Sequence, residues 1–284
     1  MIVIPMAGAS RRFAEAGYVR PKYELPLEGR SVFAHAVESF RAYFTSHSFL
    51  FVVGPAPGAA DFVAEACAEL GVADARVVAL DAPTAGQAET VEKGLAAAGA
   101  SADVPLTIFN IDTFRPGFRF PGDEHPVPPP LGEGNHEVVE GVLQPIGPLR
   151  HGAVAPRHLP RYAGEEKWSG ISDGWLEVFR GSGSNWSYVR PDEGPEPLAL
   201  ETAEKRPISD LCCTGLYHFA RASDFAWALA RERVAPSMNE LYVAPLYNAL
   251  IGAGRRIHYR LIERDEVVFC GTPAEYQALG GLPA

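Results

Sequence analysis

The chain has 284 residues, of which 47% are hydrophobic and 21% charged, and its formal net charge is −10. This length predicts one large domain or a core with a sizeable insertion, and the apolar fraction excludes a disordered chain. No apolar run approaches the roughly 20 residues of a membrane helix, and the N-terminus lacks the basic segment of a signal peptide, so we expect a cytoplasmic protein. The negative charge argues against a nucleic-acid surface, although a few local cations suffice to hold one triphosphate.

Strand-like and helix-like segments alternate over the first 112 residues. Short, nearly continuous apolar runs, typical of buried parallel strands, lie at residues 2–5, 49–53, 76–80 and 106–111. Between them, apolar residues recur at helical spacing and predict helices over 31–44, 60–70 and 87–98, the first with Ser31 as its N-cap. These repeated units predict an α/β fold with a mostly parallel sheet.

Ten prolines lie between residues 116 and 160, where no regular hydrophobic period is present. Because proline is excluded from helix interiors and central strands, we predict an irregular insertion over 122–172 within one domain that spans 1–284. Regular patterns then return. They predict strands at 175–179, 186–190, 198–203, 211–219, 256–262 and 267–270, helices at 222–232 and 240–253, and a short helix from Pro273.

The cysteines and histidines show no spacing typical of a metal site. Reduced, buried thiols are expected at Cys67, Cys212, Cys213 and Cys270, because CxxC and CxxH spacings are absent. Half of the eight histidines fall in the insertion, and their spacing favours a solvated loop: His125, His136, His151 and His158. Three tryptophans near the end of the insertion either wall a substrate pocket or anchor the insertion to the core: Trp168, Trp175 and Trp186.

The first strand leads into a loop of small residues within Ile4–Phe13, whose sequence is IPMAGASRRF. Small side chains let backbone N–H groups approach an anionic ligand closely. Arg11, Arg12 and, farther along, Lys22 add positive charge beside this loop. The segment therefore indicates an anion-binding site.

Two common phosphate-binding patterns are absent from this loop. Ser10 stands where GxGxxG would have its second glycine, and GxxxxGK[ST] does not occur. Gly17, Pro21 and Pro26 argue against a helix directly after the loop, so we expect the first helix only at Ser31.

Several short motifs occur in a characteristic order along the chain. They are MAGASRRF (6–13), PKYELPL (21–27), TAGQAETV (84–91), FNID (109–112), EK (204–205), TGLY (214–217) and GTPAEY (271–276). Together they resemble the motifs of nucleotidyltransferases of the sugar-phosphate pyrophosphorylase type. The resemblance covers most of the chain outside 122–172 and implies a Rossmann-like (GT-A-like) α/β fold, with the Pro-rich insertion as a lid or arm.

The resemblance also implies roles for individual residues. Arg12 would hold the phosphates of an NTP, Lys22 would polarise the α-phosphate, and Asp112 would hold Mg²⁺. Nucleotide contacts are implied at Met6, Ala7, Gly8, Ala9, Ser10, Arg11, Gly86 and Gln87. Contacts to the second substrate are implied at Glu204, Lys205, Thr214 and Gly215. These residue types suit the chemistry, because cleavage at the α-phosphorus requires positive charge and a divalent ion that takes oxygen ligands.

The last motif departs from the family pattern. Members often carry a second metal carboxylate just before its Gly-Thr pair, where this chain has Phe269. Either one carboxylate and water suffice, or another acid such as Asp210 or Glu240 substitutes.

We expect a Mg²⁺-dependent enzyme that joins NMP from an NTP to a small phosphorylated or phosphonate metabolite and releases pyrophosphate. Four segments, MAGASRRF (6–13), NWSYV (185–189), AEKRPISDL (203–211) and FCGTPAEY (269–276), resemble the branch associated with capsule and surface-polymer biosynthesis, which includes cytidylyltransferases, so CTP is the preferred donor. One alternative is a nucleotide-sugar-dependent glycosyltransferase, although residues 112–114 do not form the DxD metal motif. The other is a degenerate nucleotide-binding protein, suggested by Ser10 and Phe269. We expect neither nucleic acid nor membrane as a partner and leave homo-oligomerisation open.

Overall fold

The computed structural model describes residues 1–123 and 172–284. The predicted insertion over 122–172, including its four histidines and Trp168, lies outside the described residues except at its ends. Its role as a lid or arm therefore stays a prediction. Residues 1–119 and the described residues from 172 onward belong to one compact unit.

This unit contains thirteen strands and seven α-helices among the described residues. In chain order they are β1 (Ile2–Met6), α1 (Arg11–Glu15), β2 (Pro26–Leu27), β3 (Arg30–Ser31), α2 (Val32–Glu38), β4 (Ser48–Val53), α3 (Ala59–Leu70), β5 (Asp74–Ala79), α4 (Gln87–Ala97), β6 (Leu106–Phe109), β7 (Thr113–Phe114), β8 (Gly174–Arg180), β9 (Ser187–Pro191), β10 (Ala199–Glu204), β11 (Leu211–Phe219), α5 (Ala222–Val234), α6 (Tyr247–Gly252), β12 (Ile257–Ile262), β13 (Val268–Phe269) and α7 (Pro273–Ala278). None of the helices in the described ranges is long and apolar enough to cross a membrane.

Nine of the described strands form one mixed sheet with the path β10-β9-β11-β6-β1-β4-β5, and β8 and β12 continue it from β11. The N-terminal half is parallel: β1 lies between β4 and β6, and β5 follows β4. In the second half, β11 runs antiparallel to β6 and β8, while β12 runs parallel to β8. The predicted Rossmann-like α/β fold is confirmed, and its sheet is mixed, with parallel strands in the N-terminal half.

The alternation of side chains along β4 explains how the two faces of the sheet are covered. Phe49 and Phe51 point to one face, where Phe51 contacts Phe33 of α2 with ring centroids 5.3 Å apart. Leu50 and Val52 belong to the core on the other face, with Val91 of α4. Burying an apolar side chain of this size contributes about 2 kcal/mol relative to leaving it exposed. Burial of both faces therefore holds the sheet between helices.

The expectation that no helix directly follows the first loop is wrong. Helix α1 begins at Arg11, immediately after Ser10, which has a left-handed backbone with φ 47°. Gly17, with φ 94°, lies beyond Glu15. A helix of five residues fits between the loop and Gly17, so this glycine follows the helix instead of preventing it.

Two other predicted helices are shorter than expected. In the segment 31–44, Ser31 caps α2 as predicted by accepting a hydrogen bond from Ala34 N at 3.1 Å, but α2 ends at Glu38. In the segment 240–253, regular α-helix covers only α6, which follows a 3₁₀ turn that contains Pro245. The backbone of Leu241 instead exchanges hydrogen bonds with Ala85 and Ala88, so tertiary pairing replaces a helical turn.

The strand predicted as buried at 76–80 is an edge strand. Strand β5 pairs only with β4 among the described strands, and none of its six residues is buried. Apolar content alone did not distinguish an edge strand from a central one.

Candidate active site

A cleft of about 1430 Å³ opens beyond the carboxyl ends of β1, β4 and β6. In open α/β sheets, ligands gather at this edge. All but one of the site residues predicted from the sequence line it: Met6, Ala7, Gly8, Ala9, Ser10, Arg11, Arg12, Lys22, Gly86, Gln87, Asp112, Glu204, Thr214 and Gly215. The exception is Lys205.

The loop after β1 forms one wall of the cleft. Gly8 and Ala9 are exposed there, and both arginines of α1 are exposed beside them. The neighbouring chain approaches this loop closely, because a Cβ added at Gly54 would lie 3.2 Å from the carbonyl oxygen of Ala7. Exposed backbone of small residues flanked by two guanidinium groups is suited to an anionic ligand.

Lys22 and Asp112 form an ion pair inside the cleft, with Lys22 Nζ 2.5 Å from Asp112 Oδ2. Both side chains are partly exposed, at 19% and 23%. Burial would raise the pKa of Asp112, but the charge and hydrogen bond of Lys22, together with the charge of Arg12, hold that pKa below its ordinary value. Asp112 is therefore an ionised carboxylate at neutral pH, at the strand end where the sequence predicts a metal ligand.

Asn110 joins the two sides of the cleft and was not among the predicted site residues. Gln87 Nε2 donates to Asn110 Oδ1 at 2.5 Å, and Asn110 N donates to Gly215 O at 3.0 Å. Gly215 has φ 97°, and a Cβ there would lie 2.5 Å from Asn110 Nδ2, so both the backbone and the contact require glycine. The available sequence signal was the spacing of Asn110 two residues before Asp112.

A second set of polar groups lies at the end of β10. Glu204 is 9% exposed and accepts a hydrogen bond from Ser187 Oγ, which also lies 3.5 Å from Tyr217 Oη. Burial raises the pKa of Glu204. All three residues line the cleft, and Ser187 and Tyr217 were missed as site residues although they lie in the motifs NWSYV and TGLY.

Lys205 does not line the cleft itself, but its side chain contacts Tyr242, which does. Its Nζ donates to the Tyr242 hydroxyl at 2.5 Å and lies 4.6 Å from the centre of the same ring. This hydrogen bond raises the pKa of Lys205, and Tyr242 itself lines the cleft. The ammonium is therefore close to the cleft but directed at the tyrosine.

Phe269 belongs to an apolar wall of the cleft. It is 8% exposed, and its ring centroid lies 4.6 Å from that of Trp186 and 5.2 Å from that of Phe179. Trp186 thus walls the cleft with Phe269, whereas Trp175 is buried and stacks on His218.

The acids proposed to substitute at position 269 differ in location. Asp210 is an exposed ion-pair partner of Arg180 and does not line the cleft, whereas Glu240 does. The carboxylates of Glu275 and Asp112 both lie beside Gly271. A Cβ added at Gly271 would be 3.0 Å from Asp112 Oδ2 and 3.7 Å from Glu275 Oε2. Glu275 Oε2 accepts hydrogen bonds from Gly271 N and Thr272 N at the start of α7. The described residues contain no group of three or more His, Cys, Asp or Glu arranged to hold a metal ion.

The fold and the cleft define the class of protein, a Rossmann-like nucleotidyltransferase, and comparison with known proteins gives the family. The family model of the MobA-like NTP transferase domain matches residues 2–114. The nucleoside-diphosphate-sugar pyrophosphorylase from Vibrio cholerae RC9, known from a crystal structure, is 43% identical in sequence to this chain. The match covers 98% of this chain and 99% of the Vibrio cholerae chain, with a TM-score of 0.78. The chain therefore belongs to the sugar-phosphate nucleotidyltransferases of the nucleoside-diphosphate-sugar pyrophosphorylase type, as the motifs predict.

More distant solved structures share the fold. The inositol-1-phosphate CTP transferase from T. maritima is 12% identical, with 98% of this chain and 94% of that chain covered and a TM-score of 0.63. A UDP-glucose pyrophosphorylase complexed with UDP-glucose is 14% identical, with 98% and 96% covered and a TM-score of 0.64. No match was found among curated protein sequences.

Proposed function

We propose that this enzyme transfers NMP from an NTP, with CTP as the donor, to the phosphate of a small phosphorylated metabolite and releases pyrophosphate. The observation that carries the proposal is the Lys22–Asp112 ion pair in a cleft whose adjoining wall is the small-residue loop after β1. A sugar phosphate is the first choice of acceptor, by analogy with the name of the Vibrio cholerae relative. The CTP preference and a role in capsule or surface-polymer biosynthesis rest on the motif resemblance. We place the reaction in the cytoplasm, where NTPs are available.

The charged residues suit a reaction that develops negative charge on phosphate oxygens. The backbone of the loop and Arg12 bind the triphosphate, and Lys22 exchanges Asp112 for the α-phosphate when the nucleotide enters. The acceptor phosphate is itself a nucleophile, so the enzyme needs to align it and stabilise charge without forming a covalent intermediate. Glu204 and Ser187 bind polar groups of the acceptor, and Lys205 leaves Tyr242 to contact its phosphate.

The residues present fit a Mg²⁺ ion that relies mainly on the nucleotide. Asp112 would supply an ionised carboxylate oxygen to the ion, while the side chain of Phe269 would supply none. Mg²⁺ commonly takes one or two carboxylates and completes its coordination with phosphate oxygens and water. When bound, the ion would neutralise charge on the phosphates.

The test is pyrophosphate release by the purified chain from each of the four NTPs, combined with a panel of phosphorylated and phosphonate acceptors in the presence of Mg²⁺. We expect release that requires both substrates and is fastest with CTP. Release of a nucleoside diphosphate from a nucleotide sugar, without pyrophosphate, would instead indicate a glycosyltransferase. Nucleotide binding without turnover on the whole panel would indicate a non-catalytic protein.

A further inference from the structure

A fully buried ion pair lies next to the cleft without lining it. Arg115 is 2% exposed and Glu177 is 0% exposed. Arg115 Nε lies 2.7 Å from Glu177 Oε1, and Nη2 lies 3.1 Å from Oε2, so the two groups meet in a forked geometry. Apolar residues of similar volume often stabilise a core as well as a buried ion pair does, so stability alone does not explain this one.

Glu177 lies at an irregularity between β8 and β11. Cys213 pairs with Val178 and Tyr217 pairs with Leu176, so Glu177 alone faces the three residues 214–216. Thr214 Oγ1 donates to Glu177 Oε1 at 3.1 Å and thereby fixes the start of this bulge. The bulge contains Gly215, which lines the cleft.

Arg115 connects the segment that carries Asp112 to Ser39 and to the segment from Glu266 to Cys270. It follows Asp112 by three residues, and its backbone N donates to Ser39 Oγ at 2.8 Å. Its guanidinium also donates to the carbonyl oxygen of Glu266. The segment from Glu266 runs into β13, which pairs with β7, and Cys270 N then donates to Asp112 O at 2.8 Å.

We propose that Arg115 and Glu177 are positioning residues that fix Asp112 relative to Gly215 across the cleft. The ion pair connects the segment of Asp112 to the bulge of β11, and Thr113 Oγ1 adds a hydrogen bond to Thr214 O at 3.0 Å. Neither charged group touches the cleft, so both act through the backbone segments that they hold. Their effect on turnover rests on the proposed function, whereas their effect on the two segments does not.

The test variant is Arg115→Met/Glu177→Leu, which removes both charges and keeps similar volumes. We expect its urea midpoint to remain close to that of the wild type. We expect kcat to fall at least about tenfold, with the KM for NTP changed less than about threefold, because displacement of catalytic groups by about 1 Å costs up to about a hundredfold in rate. Amide hydrogen exchange should become faster in residues 110–115 and 213–217. The matched control is Arg180→Gln/Asp210→Asn, which removes an exposed ion pair between the last residue of β8 and the residue before β11 and should change none of these quantities.

Two further outcomes decide the proposal. If the double variant does not fold, Arg115→Lys retains the charge but not the fork, and it should show the same changes to a smaller degree. A folded variant with wild-type kcat, or with unchanged exchange in both segments, would overturn the positioning role. If the wild-type chain releases no pyrophosphate with any substrate pair, the proposed function fails, and hydrogen exchange alone decides whether the ion pair holds the two segments.

Discussion

Lys22 and Asp112 are 90 residues apart in the sequence and form one ion pair in the cleft. For Lys22→Ala we predict that kcat falls by about two to three orders of magnitude, because a cation aimed at developing phosphate charge is lost. The free energy of unfolding should change by less than about 1 kcal/mol, because the pair is partly exposed. Steady-state kinetics and urea unfolding measure the two effects.

The matched control is Lys93→Ala. Lys93 lies on α4, is 42% exposed, and pairs with Glu89 at 3.2 Å, so its removal should leave kcat unchanged. Equal kcat in Lys22→Ala and Lys93→Ala would remove Lys22 from the catalytic residues.

Asp112 predicts a metal affinity that depends on the nucleotide. Since Lys22 occupies Oδ2 and Phe269 supplies no ligand, Mg²⁺ should bind weakly to the protein alone and much more tightly with NTP present. Asp112→Asn keeps the shape, removes one charge, and should abolish both turnover and the nucleotide-dependent increase in Mg²⁺ affinity. Calorimetric titration of Mg²⁺ with and without NTP measures this. Tight binding to the nucleotide-free protein that survives Asp112→Asn would place the ion elsewhere, and Glu240 and Glu275, which also line the cleft, would be tested next.

His218 predicts a pH dependence of stability. Burial, together with the nearby N-terminal ammonium, lowers the pKa of His218 to about 4 from an ordinary value of 6.5. Between these pH values the unfolded chain binds a proton at His218 that the folded chain does not. Stability should therefore decrease as pH falls through this window, by up to about 3 kcal/mol, and the contribution should be constant below about pH 4.

The variant His218→Gln should lose this contribution. Its free energy of unfolding, measured by urea titration from pH 8 to pH 4, should fall less steeply than that of the wild type. The difference between the two chains at pH 8 serves as the reference, because both are neutral at this position there. Parallel curves over the whole range would contradict the assignment to His218.

At the scale of elements, the bulge in β11 depends on a single glycine. Gly215→Ala would place a methyl group against the Asn110 side chain and would also strain a backbone with φ 97°. We predict a displaced Asn110 and a KM for the acceptor or the NTP raised at least about tenfold, since a clash moves groups on both sides of the cleft. Steady-state kinetics with each substrate varied measures the effect.

Gly254→Ala is the matched control for this element. Gly254 also has a left-handed backbone, with φ 78°, but an added Cβ there meets nothing within 4 Å. It should show a similar backbone cost in unfolding experiments without a change in KM. If Gly254→Ala and Gly215→Ala had the same KM values as the wild type, the contact with Asn110 would have no role in binding.

At the scale of the whole molecule, we predict that the core folds without the Pro-rich segment. Residues 1–119 and the described residues from 172 onward form one compact unit with its own buried core. Replacing residues 125–170 by a short Gly/Ser linker should leave a folded domain that binds NTP. Circular dichroism, cooperative urea unfolding and nucleotide titration measure this. Loss of cooperative unfolding would show that the segment completes the core.

The sequence by itself determined most of the elements and the family. Apolar runs and helical spacing predicted β4, β11, α3 and α4 to within two residues, because such patterns depend on local periodicity. The order of the motifs predicted the family. All but one of the residues to which the resemblance gives a role line the cleft, and the roles themselves stay predictions. The glycine and proline pattern argued against a helix directly after the first loop, but the residues between Ser10 and Gly17 are enough to form the short helix α1.

Only the tertiary structure decided which of these residues meet. Strand order and register bring Lys22 to Asp112 and Gln87 to Asn110, and a bulge in β11 places Glu177 against Thr214 and Arg115. The same packing places Phe269 in an aromatic wall, leaves β5 at an edge, and turns Lys205 toward Tyr242. Such contacts join residues that are far apart in the chain, so no local pattern encodes them. They depend on how the strands align once both faces of the sheet are buried.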